Sequence, residues 1–582
     1  MTTLLMEAES FENKGGWVVD QQFMDQMGSP FLLAHGLGTP VADASTTVVF
    51  PTGGSYRLWV RTRDWVATWN APGAPGKFQV LVNGKACPVT FGTSGADWHW
   101  QDGGIIEVGP GQSVVALHDL TGFEGRCDAM LFCSDHSFVP PSSGTELETF
   151  RCQTLNLPDQ PDAAGSFDLV VTGGGIAGMC AALSAARMGL KTALVHDRPV
   201  LGGNNSSEVR VWLGGETNLQ PYPHMGDLVK EFEPVRAAHY GAENKAEIYE
   251  DSQRIALLQA EPNLSLFLNQ HVVAVETTSG RIDSITAQNI TSARRCRYQG
   301  RLFADCTGDA NTGFLAGADF DITLKGHMGP SNLWNVVDTG AASPFPRCPW
   351  ALDLHNKPFP GRAESTGQYA GKGLESLGAW FWENGFAHHS INDAEQIRDS
   401  NFRAMYGAWD TLKNVDHDYP DYKLNWCAHI AGMRESRRLL GDVILSLDDI
   451  VQNRVFEDAC FPCTWSVDLH YPHPEFSKGF EGREFISEAI HENNFKKPFW
   501  GPYRSLYSRN ISNLFMAGRN ISVTHEGLGT VRVMRTTGMM GEGVGMAAAL
   551  CRKHGVTPRE VYTSHLKELQ QLMARGIGRV QG

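Results

Sequence analysis

No run of apolar residues in the 582-residue chain reaches the ~18 that a membrane helix needs. The N-terminus, Met1-Thr-Thr-Leu-Leu-Met-Glu7, places no basic region before an apolar core, so no secretory signal is visible. Both absences set the expectation of a cytoplasmic protein without a membrane partner. Basic charge is in deficit: 49 Lys and Arg against 64 Asp and Glu leave a net charge of −15. That balance argues against a nucleic-acid backbone as partner. Close cysteine pairs are scarce too. Of 12 Cys, only Cys460-Phe-Pro-Cys463 forms a tight pair, and no second pair accompanies it. Neither a disulfide framework nor a zinc site is expected, only buried thiols of a reducing compartment. What is present is globular: 42% apolar residues, 19% charged, 62 Gly and 15 Trp. The length predicts about three or four domains. A homo-oligomer is neither required nor excluded.

The first 145 residues carry six of the Trp: Trp17, Trp59, Trp65, Trp69, Trp98 and Trp100. Alternating runs recur between Gly and Pro. Tyr56–Thr62 is one; Lys77–Val82 is another and ends at Asn83-Gly84, a hairpin pair that tolerates positive φ. Val114–Asp119 and Ala129–Phe132 add two more. This pattern predicts an all-β sandwich over 1–145. The pieces Glu7–Phe11, Tyr56–Arg61 and Asp119–Phe123 resemble jelly-roll domains of the carbohydrate-binding type. Exposed aromatics in such domains stack on sugars, but most of these Trp are read as core. A polar stretch with several Pro, Ser134 to Pro161, follows, and the linker is set at 146–166.

At Phe167 the pattern changes. Phe167–Thr172 is a continuous apolar strand. It leads into Gly173-Gly-Gly175-Ile-Ala-Gly178, a helical stretch to Met188, and a second strand, Lys191–Val195. In this βαβ context Gly173 permits the turn, Gly175 lets a pyrophosphate approach, and Gly178 lets helix and strand pack closely. An acid that binds the ribose is expected about 20 residues on. The aligned position holds His196 and Asp197 follows it, so either Asp197 takes the ribose or a backbone group does.

The loop Arg198-Pro-Val-Leu-Gly202-Gly203-Asn204-Asn-Ser206-Ser, the turn Thr307-Gly-Asp309 after a strand, and the segment Asn513 to Gly538 resemble the FAD-binding elements of the glutathione-reductase-like flavoprotein superfamily. The stretches RPVLGGNNSSEVR, RESRRLLGD and NISVTHEGLGTVRVMRTTGMMGE resemble, more narrowly, the bacterial group called FAD-dependent oxidoreductases. The resemblance implies FAD as cofactor, held by Gly173, Gly175, Gly178, Asp197, Arg198, Gly202, Gly203, Asn204, Ser206, Asp309, Gly518, Arg519 and a Thr536-Thr537-Gly538 turn. It implies an α/β fold: a discontinuous Rossmann-like FAD-binding domain (167–325 and 501–582) with an inserted α+β substrate or cap region (326–500). A second glycine motif for NAD(P)H is lacking; Gly576-Ile-Gly578 has no apolar strand before it.

Flavin chemistry on a hydroxyl needs a base and positive charge near the reacting atoms. His525, between the Gly518 turn and the next helix, is the candidate base, with Glu526 behind it. Arg532 is the candidate for stabilising negative charge. Arg434–Arg438 reads as a helix or helix end. Glu208, Arg210, Asp468 and His470 are candidate substrate contacts. His470-x-x-His473 is read as loop histidines rather than a metal site, since Pro472 and Pro474 break any helix that would align them. Three functions are carried forward. The first is oxidation of a carbohydrate or glycoside hydroxyl by hydride transfer to the flavin, on a small molecule or an oligosaccharide. The second is redox-neutral glycoside cleavage by transient oxidation and elimination. The third is a non-catalytic carbohydrate-binding flavoprotein.

Overall fold

The computed structural model describes residues 2–362 and 373–577. Cap residues 363–372 and the end of the return segment, with Gly578, lie outside the described residues.

The N-terminal region is built from antiparallel sheets. One orders Thr3–Glu7, Ala129–Cys133, Gly54–Thr62 and His99–Val108; another orders Ala44–Phe50, Gly111–Asp119, Phe78–Val82 and Lys85–Phe91. Period-2 side chains of both meet in one core that includes Tyr56, Leu58, Val60, Phe78, Val80, Phe91, Val115, Leu117 and Phe132. Asn83 and Gly84 take φ of 50° and 77°, the left-handed pair that a two-residue hairpin turn requires. None of the six Trp is exposed.

The expected linker is largely structured. Gly144–Thr154 is a helix whose Arg151 is buried against Asp128 and Ser29 of the sandwich. The following strand begins at Asp162, not at Phe167. Pairing explains the extra length: Asp162 to Phe167 already lie in parallel register with Cys296 to Gly300.

A seven-stranded sheet forms the centre of the chain. Strands Leu264–Phe267, Thr192–Val195, Asp162–Thr172 and Arg295–Asp305 run parallel, and Leu514–Met516 joins the last of them, also parallel. The hairpin of Gln270–Thr278 and Arg281–Asn289 extends the sheet antiparallel. Helix Ile176–Arg187 packs against helix Met534–His554. A Cβ on Gly541 would lie 2.1 Å from Ala177 O, and one on Gly545 2.4 Å from Ser184 Cβ, so these glycines are what lets the two backbones approach. Thr536-Thr537-Gly538 therefore lies within a helix and is not a turn.

Residues of the inserted region share an aromatic core with the sandwich: Trp65, Val66 and Phe123 pack with Trp350, Phe402, Tyr406 and Trp409. Buried ions line the same interface. Arg398 meets Asp20 at 2.6 Å, Arg126 meets Asp399 at 3.0 Å, and the Tyr406 hydroxyl donates to Glu124 at 2.6 Å. The long helix Ala394–Asn414 supplies Arg398, Asp399 and Tyr406.

Candidate active site

A cavity of about 610 Å³ lies at the carboxyl ends of the parallel strands, where Thr172, Val195 and Cys306 reach its wall. This is the crevice in which open α/β sheets hold their ligands. The glycine loop forms its floor. Gly173 has φ +93°, and a Cβ there would lie 2.3 Å from Cys306 O. A Cβ on Gly178 would lie 1.8 Å from Gly173 O, so helix and turn touch at this point. At Gly175 the nearest heavy atom to such a Cβ is 3.9 Å away, on Gly203. Gly175 thus presents open backbone to the cavity. The helices starting at Ile176 and Met534 both begin on the cavity wall, so two positive helix ends face it. This donor set fits a dinucleotide pyrophosphate and the electron-rich N1/O2 edge of a flavin.

The loop 198–206 crosses over the glycine loop, with Gly202 bridged to Gly175. Ser206 Oγ donates to Gly203 O at 2.7 Å, and Asn204 Nδ2 donates to Met433 O at 2.9 Å. Asp309 accepts from Arg519 Nη2 at 2.7 Å and from Ser436 Oγ at 2.6 Å. Gly173, Gly175, Asp197, Arg198, Gly202, Gly203, Asn204, Asp309, Gly518, Arg519 and Thr537 all lie on the cavity wall. Gly178, Ser206, Thr536 and Gly538 stand behind it; Thr536 Oγ1 donates to Pro462 O.

His196 occupies the strand-end position and is used up by the protein. Its Nδ1 accepts from Gly174 N at 2.9 Å, which leaves Nε2 to donate to Val200 O at 3.0 Å. Burial brings its pKa down to about 4, so it is a neutral imidazole. Asp197 stays on the wall and faces His271 at 3.8 Å. His271 Nε2 is also 2.9 Å from Asp25 of the sandwich. Burial opposes its charge, but the two carboxylates raise its pKa to about 9.

The far end of the cavity is lined by Trp212, Tyr240, Trp380 and Trp465, with Arg434, Asp468, His470, His491 and Arg532. His470 lies in the strand Val467–Pro472, not in a loop. Its Nδ1 is 2.6 Å from the buried Glu383 carboxylate, which also accepts from Ser487 Oγ and Gly329 N. Nε2 faces Arg532 Nη2 at 3.2 Å and Asp468 at 3.4 Å. Burial would raise the Asp468 carboxyl, but His470, Arg532 and His491 hold it well below the usual carboxylate range.

His525 and Glu526 sit away from this wall. His525 Nδ1 is 2.9 Å from both carboxylate oxygens of Glu435. Glu435 in turn accepts from Arg438 Nη1 at 2.7 Å and Met328 N at 3.0 Å. Arg434–Arg438 is not helical; it runs extended into the short strand Arg438–Leu439. Glu435 thus joins His525 to Arg438. Glu208 pairs with Arg198 at 3.2 Å, and the Arg210 guanidinium lies 3.8 Å from the Trp426 ring centroid. Neither reaches the cavity wall. Sequence reasoning missed Glu383, His271 and Asp25, whose partners lie 87, 246 and 246 positions away.

All 12 cysteines are free; Cys460 and Cys463 are buried neighbours on one strand, Ala459–Cys463, and burial pushes both thiols up. No helix among the described residues is long and apolar enough to cross a membrane.

The family profile described as "FAD dependent oxidoreductase" matches residues 168–573, more than half of the chain. The chain belongs to the FAD-dependent oxidoreductase family. FAD is therefore its cofactor, and the cavity with the open Gly175 backbone is where this oxidoreductase has a fitting place for it. Solved structures similar to this oxidoreductase fall into two groups. A family 35 carbohydrate-binding module from Clostridium thermocellum is 19% identical over 23% of this chain and 98% of its own, with TM-score 0.19. E. coli quinol fumarate reductase FrdA is 12% identical over 70% of this chain and 74% of its own, with TM-score 0.30. The myxobacterial halogenase CndH, described as a variant of FAD-dependent halogenases, is 11% identical over 71% and 79%, with TM-score 0.32.

Proposed function

We propose that this oxidoreductase oxidises a hydroxyl of a carbohydrate or glycoside, with His470 rather than His525 as the base. The observation that carries the reading is the wall around His470. Partly exposed Trp212, Tyr240, Trp380 and Trp465 offer flat apolar faces, and Asp468, His470 and Arg532 sit among them. Aromatic faces beside paired polar groups suit a sugar, whose C–H faces stack while its hydroxyls hydrogen-bond.

The tautomer follows from the partners. The Glu383 carboxylate can only accept, so Nδ1 of His470 carries the proton and Nε2 is the acceptor. Nε2 faces Arg532 Nη2 at 3.2 Å; a substrate hydroxyl that displaces this contact gives its proton to Nε2, and Glu383 stabilises the imidazolium that results. Arg532 stabilises negative charge on the same oxygen. Asp468, kept ionised, accepts from a neighbouring hydroxyl. FAD, when bound, supplies the acceptor for the hydride.

The test is anaerobic mixing of the holoprotein with a panel of sugars and glycosides, followed by flavin absorbance at about 450 nm. Bleaching by a sugar, slowed in His470→Ala, supports the reading. Absence of bleaching by every sugar, with glycosides cleaved and no acceptor consumed, would favour the redox-neutral route instead.

A further inference from the structure

We propose that the sandwich segment Gln21–Gln26 is part of the cofactor site: it closes the nucleotide end of the cavity and, through His271, fixes the Asp197 carboxylate that receives the ribose hydroxyls. The inference rests on the FAD site and is independent of the substrate.

Three observations converge on this segment. Gln22, Phe23, Asp25 and Gln26 form cavity wall on the same side as Asp197 and His271, although they belong to the N-terminal sandwich. The segment is pinned from both sides. Toward the inserted region, Gln22 Nε2 donates to His429 O at 2.9 Å and Gln22 Oε1 accepts from Ala431 N at 2.7 Å. Toward the central sheet, Asp25 Oδ1 lies 2.9 Å from His271 Nε2. Finally, the residue at the strand end cannot read the ribose, because both ring nitrogens of His196 are committed to Gly174 and Val200. The acceptor falls to Asp197, the next residue.

The Asp197 side chain is 39% exposed, and His196 Nδ1, 3.3 Å away, already accepts from Gly174 N and so offers it no proton. His271 stands between it and Asp25, with one ring nitrogen toward each carboxylate. A protonated His271 donates to Asp25 and faces Asp197 as an ion pair at 3.8 Å, so Asp25 keeps the imidazole charged and turned toward Asp197. Asp25 and His271 are positioning residues here, and Asp197 is the contact. A sandwich resembling a free-standing binding module would on this account be a wall of the flavin site.

The experiment uses the full chain, stripped of FAD and titrated with three probes: FAD, ADP-ribose and FMN. ADP-ribose carries the adenosine and pyrophosphate without the flavin; FMN carries the flavin without the adenosine. Asp25→Ala is expected to weaken FAD and ADP-ribose by about tenfold, the scale of one lost charge-assisted hydrogen bond, and to leave FMN unchanged. Asp197→Asn should do the same, and the double variant should lose little more than Asp197→Asn alone, because Asp25 acts only through Asp197. Unchanged ADP-ribose affinity in Asp25→Ala would overturn the proposal. So would equal weakening of FMN, which would mark a general loosening of the fold. Gln26→Ala, whose side chain reaches Ile391 O at 3.2 Å, serves as the second variant should Asp25→Ala fail to fold. A loss of ADP-ribose but not FMN affinity supports the proposal there, and any other pattern counts against it.

Discussion

Glu383 holds His470 through a 2.6 Å contact at Nδ1, so the imidazole turns Nε2 toward Arg532 and the cavity. The carboxylate is buried, and His470, Arg434 and Ser487 around it keep its pKa low against the effect of burial. A buried, ionised acid behind a histidine fixes both its tautomer and its direction. His525 has a buried acid too, Glu435, but that pair faces Arg438 and the interior of the fold.

The contrast between the two histidines is testable in one preparation. His470→Ala is expected to retain FAD and slow flavin reduction by about 10²–10⁴-fold, the usual weight of a general base. His525→Ala should reduce at close to the parent rate and lose thermal stability instead. Single-turnover reduction and a melting curve on each variant decide; a slow, stable His525→Ala would return the base to His525.

Gly175 and Gly178 should fail differently. A Cβ at Gly175 meets no atom within 3.8 Å, so Gly175→Val should fold and lose FAD by filling the space its backbone offers. A Cβ at Gly178 would overlap Gly173 O, so Gly178→Ala should destabilise the apoprotein itself. Flavin content and apoprotein melting temperature, measured side by side, separate the two.

The pairing of His271 predicts a pH dependence. An exposed imidazole loses its proton near pH 6.5, whereas His271 keeps it to about pH 9 between Asp25 and Asp197. A raised folded pKa means stabilisation fully present below about 6.5 and lost as the pH climbs through about 9. The loss is on the order of 2 kcal/mol after allowing for the partly exposed Asp25. Melting temperature against pH should fall over that window in the parent and flatten in Asp25→Ala.

The sandwich should not melt on its own. Arg398 is buried between Asp20 of the sandwich and Asp399 of the inserted region. Replacing it with Leu leaves carboxylates buried without their counter-charge, a change worth about 3–5 kcal/mol. Calorimetry of the full chain should show the sandwich and inserted region unfolding together, and Arg398→Leu should lower that transition as a unit. Two separated transitions in the parent would contradict the shared core.

Thiol labelling of the folded protein should reach Cys152 and Cys296 first, the two that are partly exposed. Cys460 and Cys463 should stay unmodified until unfolding, since burial disfavours the reactive thiolate.

The strand–loop–helix unit at the cavity floor was legible in the sequence because its parts are local. Strand, glycine loop and helix are contiguous from Phe167 to Met188, and each glycine has a local geometric reason. The position after the second strand was harder: His196 stands where the resemblance sets an acid, and only the structure reveals that both its ring nitrogens are engaged, by Gly174 and Val200. The substrate wall was barely legible. Glu383 sits in Trp382-Glu-Asn384 with no motif around it, and its link to His470 spans 87 residues. The sandwich was readable from its alternation and its Asn83-Gly84 turn, but its fusion to the inserted region was not. Buried pairs such as Arg126 with Asp399 leave no periodic trace when the partners are 273 residues apart.

The packing of helix Ile176–Arg187 on helix Met534–His554 also sets the order of events during synthesis. The glycine loop leaves the ribosome more than 300 residues before the helix that covers it. Chains emerge at roughly 5–20 residues per second, so the nascent loop waits on the order of half a minute for its partner. During that interval the sandwich can form, but the central sheet lacks the strand Leu514–Met516 and the apolar face of Ile176–Arg187 is uncovered. The cavity wall that Ile176 and Met534 share is therefore complete only after the C-terminal helix has been made.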